Sequence, residues 1–323
     1  MKRFSLKYWF AATLASLIGG AAQAQFPEQP IRLIVAYAPG GGTDIIARLL
    51  AQTMQKNMGG NASIVVVNRP GAGGGIGFAE LTNAKPDGYT IGFINTPNVL
   101  TIPIERTSTF NWQNYDLLGN IVDDPGNFSV HVDTPINSLA ELVVFAKANP
   151  GKVTYGTTGV GSDDHLAALA LERAAGVKLT HVPYKGASEV HAAVASKQIL
   201  VAAMNIGEAM QYQKAGTPLR HLGQMSEKRT DLAPNVPTFK EQGHNVIMAS
   251  LRGVAAPKGL PSAVREQWVN VVQKAMNDPE FQTKAASYFA PLRYLGPAAY
   301  ATELREAEAG FKQLWQAAPW AEK

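Results

Sequence analysis

The chain has 323 residues, 46% of them apolar and 17% charged, and no cysteine. Such a composition describes a folded globular protein with material for two domains and excludes a disordered chain. The missing thiols exclude disulfides, thiol catalysis, thiolate metal sites and a lipid-modified N-terminal cysteine. The formal charge of +4 shrinks to 26 basic against 25 acidic residues once Lys2, Arg3 and Lys7 are set aside, so nothing calls for a nucleic-acid partner.

Residues 1–24 read as a secretory signal peptide. They combine those three basic residues, an apolar run over Tyr8–Ile18 and the small-x-small site Ala22-Gln23-Ala24. The run is short for a bilayer-spanning helix. The mature chain is expected to begin near Gln25, exported and soluble.

The central stretch is IRLIVAYAPGGGTDIIAR, Ile31–Arg48. Its apolar start (Ile31, Leu33, Ile34, Val35) reads as a strand that breaks at Pro39. Three glycines follow, and Thr43-Asp44 opens a segment with Ile45, Ile46, Leu49 and Leu50 at helical spacing. Glycines let the main chain approach a ligand with no Cβ in the way. The free N–H groups of a helix's first turn favour an anion. One glycine would suffice for a plain strand–helix turn, so three favour a ligand role. The stretch predicts half of a site for a small anion, with Thr43 donating its hydroxyl. Asp44 would repel such a ligand and is expected to cap the helix or hold water; Arg48 is expected at the surface.

Ile64–Val67 predicts a buried parallel strand. A second glycine-rich turn, Asn68–Gly77, and a short helix over Phe78–Leu81 follow it. The dinucleotide fingerprint G-x-G-x-x-G fails there, with Ile76 or Phe78 in the last place, and the glycines are expected to shape a loop near a cleft mouth. Pro86-Asp87-Gly88 is a turn introducing the strand Tyr89–Ile94, which ends at Asn95-Thr96-Pro97. Repeated βα units imply a parallel sheet with helices on its faces.

A looser region, Val99–Asp116, leads to an apolar run at Leu117–Val122, and Phe128–Val132 is expected to open a second lobe. Ser138–Glu141 predicts a capping box and a helix that stops before Pro150. Val153–Gly156 is the next strand, with the loop Thr157–Ser162 and an amphipathic helix over Asp163–Ala175. Leu179–Pro183 is a strand, followed by a helix through Ala195 and a strand Ile199–Met204 that ends at Asn205. Leu219–Gln224 is one more strand, Asn235–Thr238 heads a short helical piece, and Val246–Val254 carries the chain back. Helices over Pro261–Met276, Pro279–Tyr288 and Pro297–Trp315 complete the chain. The fold class is α/β: two lobes, each a mostly parallel sheet flanked by helices, with a ligand cleft between facing strand ends. The lobes are expected over 26–125 with 250–323, and over 126–249.

Ser162 has Asp164 two residues on, so G-x-S-x-G is not met; Gly186-Ala187-Ser188 fails likewise at Val190. Ser162-Asp163-Asp164 reads equally as an N-cap with two dipole-friendly acids and as a hydroxyl donor to a ligand with both aspartates turned outward. None of His131, His165, His181, His191, His221 and His244 stands in a metal-ligand pattern, and no metal or cofactor is expected. His165, three residues after Ser162, can face the cleft. Tyr184 and Lys185 follow a strand near it, though a lone lysine is usually solvated.

Five segments, QPIRLIVAYAPGGGTDIIARLLA, VVVNRPGAGGGIG, PDGYTIGF, THVPYKGASE and NVPTFKEQG, stand in the order and spacing of the Bug-type receptors. Those are the periplasmic solute-binding proteins of tripartite tricarboxylate transporters, and the chain resembles them over 26–323. The resemblance implies a Venus-flytrap receptor in the periplasm that closes on a small mono-, di- or tricarboxylate, amino-acid and aromatic acids included, and delivers it to a membrane permease. In the family, main-chain groups and bridging waters of the PGGGTD-type loop hold the carboxylate. By position, the implied contacts are Tyr37, Ala38, Pro39, Gly40, Gly41, Gly42, Thr43 and Asp44, then Asn95 and Thr96, then Thr157, Thr158, Gly159 and Ser162 with His165, and finally Asn205. The chain departs from the family pattern at Lys197–Val201, around Met204–Asn205 and at Leu251, where many members carry Trp. A monomer is expected. The rival readings are an exported hydrolase using Ser162 and His165, and a receptor serving a signalling partner instead of a permease.

Overall fold

The computed structural model describes residues 26–59 and 62–321; the expected signal peptide over 1–24 lies outside them. Along the described chain run β1 (Ile31–Val35), α1 (Gly42–Met58), β2 (Ile64–Asn68), α2 (Gly75–Thr82), β3 (Thr90–Asn95), α3 (Asn98–Glu105), β4 (Tyr115–His131), α4 (Leu139–Ala148), β5 (Thr154–Thr157) and α5 (Asp163–Ala175). They continue with β6 (Thr180–Pro183), α6 (Ala187–Ala195), β7 (Val201–Asn205), α7 (Ile206–Lys214), β8 (Leu219–Gln224), β9 (Ala249–Pro257), α8 (Ser262–Met276), α9 (Pro279–Ser287), β10 (Leu292–Leu295) and α10 (Pro297–Ala317).

The fold is α/β, with strands paired in the order β2-β1-β3-β9-β4-β7-β5-β6 and with β8 and β10 also on β4. β1, β2 and β3 are parallel, as are β5, β6 and β7. β9 runs antiparallel between β3 and β4. The element that joins everything is β4. Its residues Tyr115–Pro125 pair with β9, and from Gly126 onward it pairs with β7 and β8. Two apolar runs that look separate in the sequence are thus one strand of 17 residues shared by both halves of the sheet. Buried Asn120, Asp124 and Asn127 interrupt its hydropathy and conceal the continuity.

Helices cover both faces of each half. Leu33 and Val35 pack with Trp268, Val272 and Phe281 of α8 and α9, while Ile34 faces Phe78, Leu100 and Tyr300 of α2, α3 and α10. In the second half, Phe128 and Tyr155 meet Leu142 and Leu171 of α4 and α5. On its other face Ala202 and Met204 meet Val190, Val194 and Ala209 of α6 and α7. Burial on both faces is why β1 reads as a continuous apolar run.

Local expectations change in places. β2 is an edge strand with Val65 49% exposed, so its β-branched run reflects strand propensity rather than two-sided burial. The looser region contains α3, with Val99, Leu100 and Ile102 buried; Pro103 inside it removes one helical N–H and blurs the pattern. Asn235–Thr238 is a turn. Buried Gln224 donates to the Ala233 and Val236 carbonyls at 2.9 and 2.7 Å and holds it in that shape. The returning strand β9 begins three residues later than expected, at Ala249, and β10 was too short to read. Ser138 caps α4 by accepting from the Glu141 N–H at 3.1 Å, but Glu141 reaches the Asn137 N–H instead of closing the box.

Where β9 lies against α10, Gly253 makes room for the fully buried Tyr300, and a Cβ there would overlap its ring. Gly253→Ala is expected to cost about 1–3 kcal/mol of unfolding free energy through overpacking, measured by urea denaturation at unchanged m-value.

Candidate functional site

Open α/β sheets bind ligands beyond the carboxyl ends of their parallel strands, and in this molecule those ends converge. β1 leads into the glycine loop, β3 ends at Asn95, β5 at Thr157 and β7 at Asn205. Between them lies a polar cavity of about 20 Å³, room for roughly one water. The first half contributes Tyr37, Gly41, Gly42, Thr43, Asn95, Asn98, Ser250 and Arg252 to its wall. The second contributes Thr158, Asp163, Ala187, Asn205 and Glu208. A larger groove of about 790 Å³ takes in Trp112, Asp116 and Lys258, at the start of β4 and away from the converging strand ends.

Charged and polar groups tie the two halves across this cavity. The Gly42 N–H, in the first turn of α1, donates to Glu208 Oε1 at 2.8 Å. Arg252 on β9 lies 3.3 Å from the same carboxylate, pairs with Asp124 at 3.1 Å and donates to Asn205 Oδ1 at 2.9 Å. Asn205 donates in turn to Asp163 Oδ2 and to the Asp124 carbonyl, each at 2.7 Å. At the rim, Tyr212 donates to the Gly40 carbonyl at 2.9 Å and the Ala38 N–H to the Lys185 carbonyl at 3.1 Å. The second glycine turn also meets the opposite half: a Cβ on Gly159 would stand 2.8 Å from the Gly73 Cα.

Burial pushes the three aspartates, Asp124, Asp163 and Asp164, toward their neutral forms. Asp124 rises to about 7 although Arg252 pulls the other way, and Asp163 rises to about 6. Asp164 is raised well above the usual range by burial and by Asp163, Glu208 and Asp124 beside it. Burial works against the charge on Arg252, but Glu208, Asp124 and Asp163 outweigh it and hold the guanidinium protonated.

Seven of the residues singled out in the sequence line the cavity: Tyr37, Gly41, Gly42, Thr43, Asn95, Thr158 and Asn205. The others stand around it with partners of their own. The Gly40 N–H donates to Asp44 Oδ2 at 2.9 Å, and Arg48 and Asn68 hold the same carboxylate. Ala38 meets the backbone before α6, and Pro39 is exposed on the rim. Thr96 accepts from the Leu251 N–H at 2.9 Å, and Thr157 is engaged by His181 and the Gly159 N–H. Ser162 caps α5 by accepting the main-chain N–H of His165 at 3.2 Å. The His165 ring accepts from the Gly161 N–H at 3.1 Å, stacks on His181 at 4.2 Å, and is lowered by burial to about 3. Ser162 therefore bonds the backbone of His165 and not its ring, and the serine–histidine pair of a hydrolase is not assembled.

The aspartates after Ser162 face inward, not outward: Asp163 is 4% and Asp164 1% exposed. Sequence reasoning also missed Asn98, Ala187, Glu208, Ser250 and Arg252. For Arg252 there was a signal, since SLRGVAAP carries a cation inside a strand otherwise fit for a core, and such a charge is almost never buried unless paired. Glu208, in the first turn of α7, is indistinguishable in sequence from a residue that serves the helix dipole.

Two half-sheets whose parallel strands end around a small cavity lined mostly by polar residues have the architecture of a solute-binding protein of the periplasmic type. The receptor profile of the tripartite tricarboxylate transporter family matches residues 46–289, and the chain belongs to that family. It is 35% identical over 294 residues to the UPF0065 protein in the gbd 5′ region of Cupriavidus necator, covering 90% of this chain and 88% of that one. The periplasmic binding protein BugD superposes with a TM-score of 0.85 at 28% identity, over 92% of this chain and 100% of its own. R. palustris Rpa4515, solved with adipate, superposes with 0.84 at 25% identity over 90% and 97%. This is a family of solute receptors, not of enzymes.

The raised carboxyl groups make stability depend on pH. Between 3.8 and about 7 the folded chain keeps protons on Asp124 that the unfolded chain has released, and Asp163 behaves alike up to about 6. The contribution is present at the acid end of that window and lost as pH rises through about 7. The melting temperature of the ligand-free protein is expected to fall by roughly 5 °C between pH 5 and pH 8, and Asp124→Asn to flatten that slope in a differential scanning series.

Proposed function

We propose that the two halves are the lobes of a closing receptor, residues 26–125 and 250 onward forming one and 126–249 the other. Their cleft takes a small organic carboxylate in the periplasm for delivery to the permease of a tripartite tricarboxylate transporter. The observation that carries this reading is the Glu208–Gly42 contact. A carboxylate already rests where a helix's first turn donates an N–H and a guanidinium lies 3.3 Å away as an ion pair, so the first lobe offers a built carboxylate cradle. Glu208 belongs to the second lobe. Opening withdraws it and frees the Gly42 N–H and Arg252 for the carboxylate of a solute.

With about 20 Å³ between the walls, a five- or six-carbon acid enters only when the lobes part. A solute that then contacts both lobes favours the shut state. The adipate held by the R. palustris neighbour supports a carboxylate as the ligand class, and the family description supports a permease as recipient.

A thermal-shift screen against mono-, di- and tricarboxylates, aromatic acids included, tests this. An acid at a hundredfold its Kd adds about 2.7 kcal/mol, a rise of roughly 5 °C or more in a chain of this size, while the matching carboxamide gives none. In Gly42→Ala the new Cβ would lie 2.6 Å from Glu208 Oε1 and against Arg252, and the acid-induced rise is expected to disappear from a protein that still melts cooperatively. Failure of every acid to shift the parent protein overturns the reading.

A further inference from the structure

The two halves meet along a seam on each side of the cavity. On one side Tyr212 reaches the Gly40 carbonyl. On the other, the loop that leads into α5 lies against α3. Thr101 donates its hydroxyl to the Gly161 carbonyl at 2.8 Å, and the Asn98 amide donates to the Val160 carbonyl at 3.3 Å. This second seam borders the cavity directly, since Asn98, Thr158 and Asp163 belong to its wall.

The segment after α10 covers that seam. The helix itself is fastened to the first half by buried Tyr300 and Leu304, and by Trp112, which donates to Glu308 at 2.8 Å. Beyond its end the chain meets the second half. Arg173 of α5 donates to the Ala318 carbonyl at 3.4 Å. Trp320 is 2% exposed, with its ring centre 4.7 Å from that of Trp315. Its indole nitrogen would stand 3.3 Å from a Cβ on Gly161, so the tryptophan approaches the loop at the residue whose carbonyl Thr101 holds.

A tryptophan buried across a seam favours the arrangement in which the seam is shut. Yet the Trp320 N–H has no hydrogen-bond partner among the described residues. A buried donor without an acceptor is costly and regains water once the ring is uncovered, so the hold is a releasable one. On the two-lobe reading, on which this rests, we propose that Ala318–Ala321 is a strap from the first lobe to the second. Trp320 is its anchor, a positioning residue that keeps the Gly159–Gly161 loop against α3 and biases the cleft toward the shut state. In a chain that rests shut, the strap stabilises the empty and the filled forms alike. It therefore slows entry and escape together and leaves affinity little changed.

The chain has no cysteine, so nitroxides on Gln52→Cys in α1 and Lys147→Cys in α4, both exposed, stand at those two places alone. Their separation, measured by pulsed electron paramagnetic resonance on the full chain, reads opening without any solute. In that background Trp320→Ala is expected to raise the ratio of open to shut molecules by on the order of tenfold. Trp320→Phe keeps a ring and removes the unpartnered donor, and is expected to stay within about threefold of the parent. Glu208→Ala is the control, because it opens the cleft by releasing Gly42 and Arg252, a route independent of the strap. If Glu208→Ala opens while Trp320→Ala keeps the parent's separation, the strap is refuted and the two-lobe receptor stands. A lowered melting temperature at unchanged separation refutes it equally, since Trp320 is then an ordinary core residue. A separation fixed in every variant, and on addition of adipate, overturns the two-lobe reading and the strap with it.

Discussion

A guanidinium that is 3% exposed has to be answered by the protein around it, and Arg252 is answered from three directions. Asp124 comes from the middle of β4, Asn205 from the end of β7 and Glu208 from the start of α7. A lone charge taken out of water costs several kcal/mol, and only close partners offset it. One side chain of the first half thus requires the shared strand and the second half to stand where they do. The cavity lies within that arrangement, so its shape and its electrostatics have a common origin.

The continuity of β4 makes this arrangement economical. Because the strand changes partners between Pro125 and Gly126, Asp124 sits at the point where the two halves meet. Its carboxylate takes Arg252 from one side and the Gly207 N–H from the other. A Cβ on Gly126 would lie 2.6 Å from Met225 Sδ, which explains a glycine at the change of partner. The chain passes between the halves a second time over residues 225–249, where the Met225 N–H donates to the Gly126 carbonyl and the Gly126 N–H to the Met248 carbonyl. On the receptor reading, those two passages are where opening must be absorbed, while the four apolar cores move as packed bodies.

What could be read from sequence was what depends on neighbours in the chain. The β1–glycine–α1 unit, Ser162 as a cap, Asp44 as a helix partner and the helices from Pro261 onward all declare themselves within a few residues. What could not be read depends on pairings across long separations. Gly42 and Glu208 are 166 residues apart, Arg252 and Asp124 are 128 apart. Asp163, Asp164 and Glu208 each head a helix, where an acid already has a sufficient local reason to stand, so nothing nearby marks them as cleft residues. The reverse case is His165, whose place three residues after Ser162 pointed toward the cleft, while its ring is packed on His181. Proximity in sequence to a site does not settle which way a side chain turns.

The glycine loop was expected to hold an anion, and the anion it holds is the protein's own. That changes how affinity has to be understood. The Gly42 N–H and Arg252 are already desolvated and already bonded to Glu208, so a solute carboxylate that replaces it exchanges one charge-assisted contact for another. Such an exchange contributes little net free energy and little discrimination, since any carboxylate of suitable reach can make it. On the receptor reading, discrimination is left to the rest of the cavity wall, where Asn95 Oδ1 has no hydrogen-bond partner among the described residues. If Gly42 and Arg252 accept carboxylates as a class, the remaining side chains of the cleft are what can tell one acid from another.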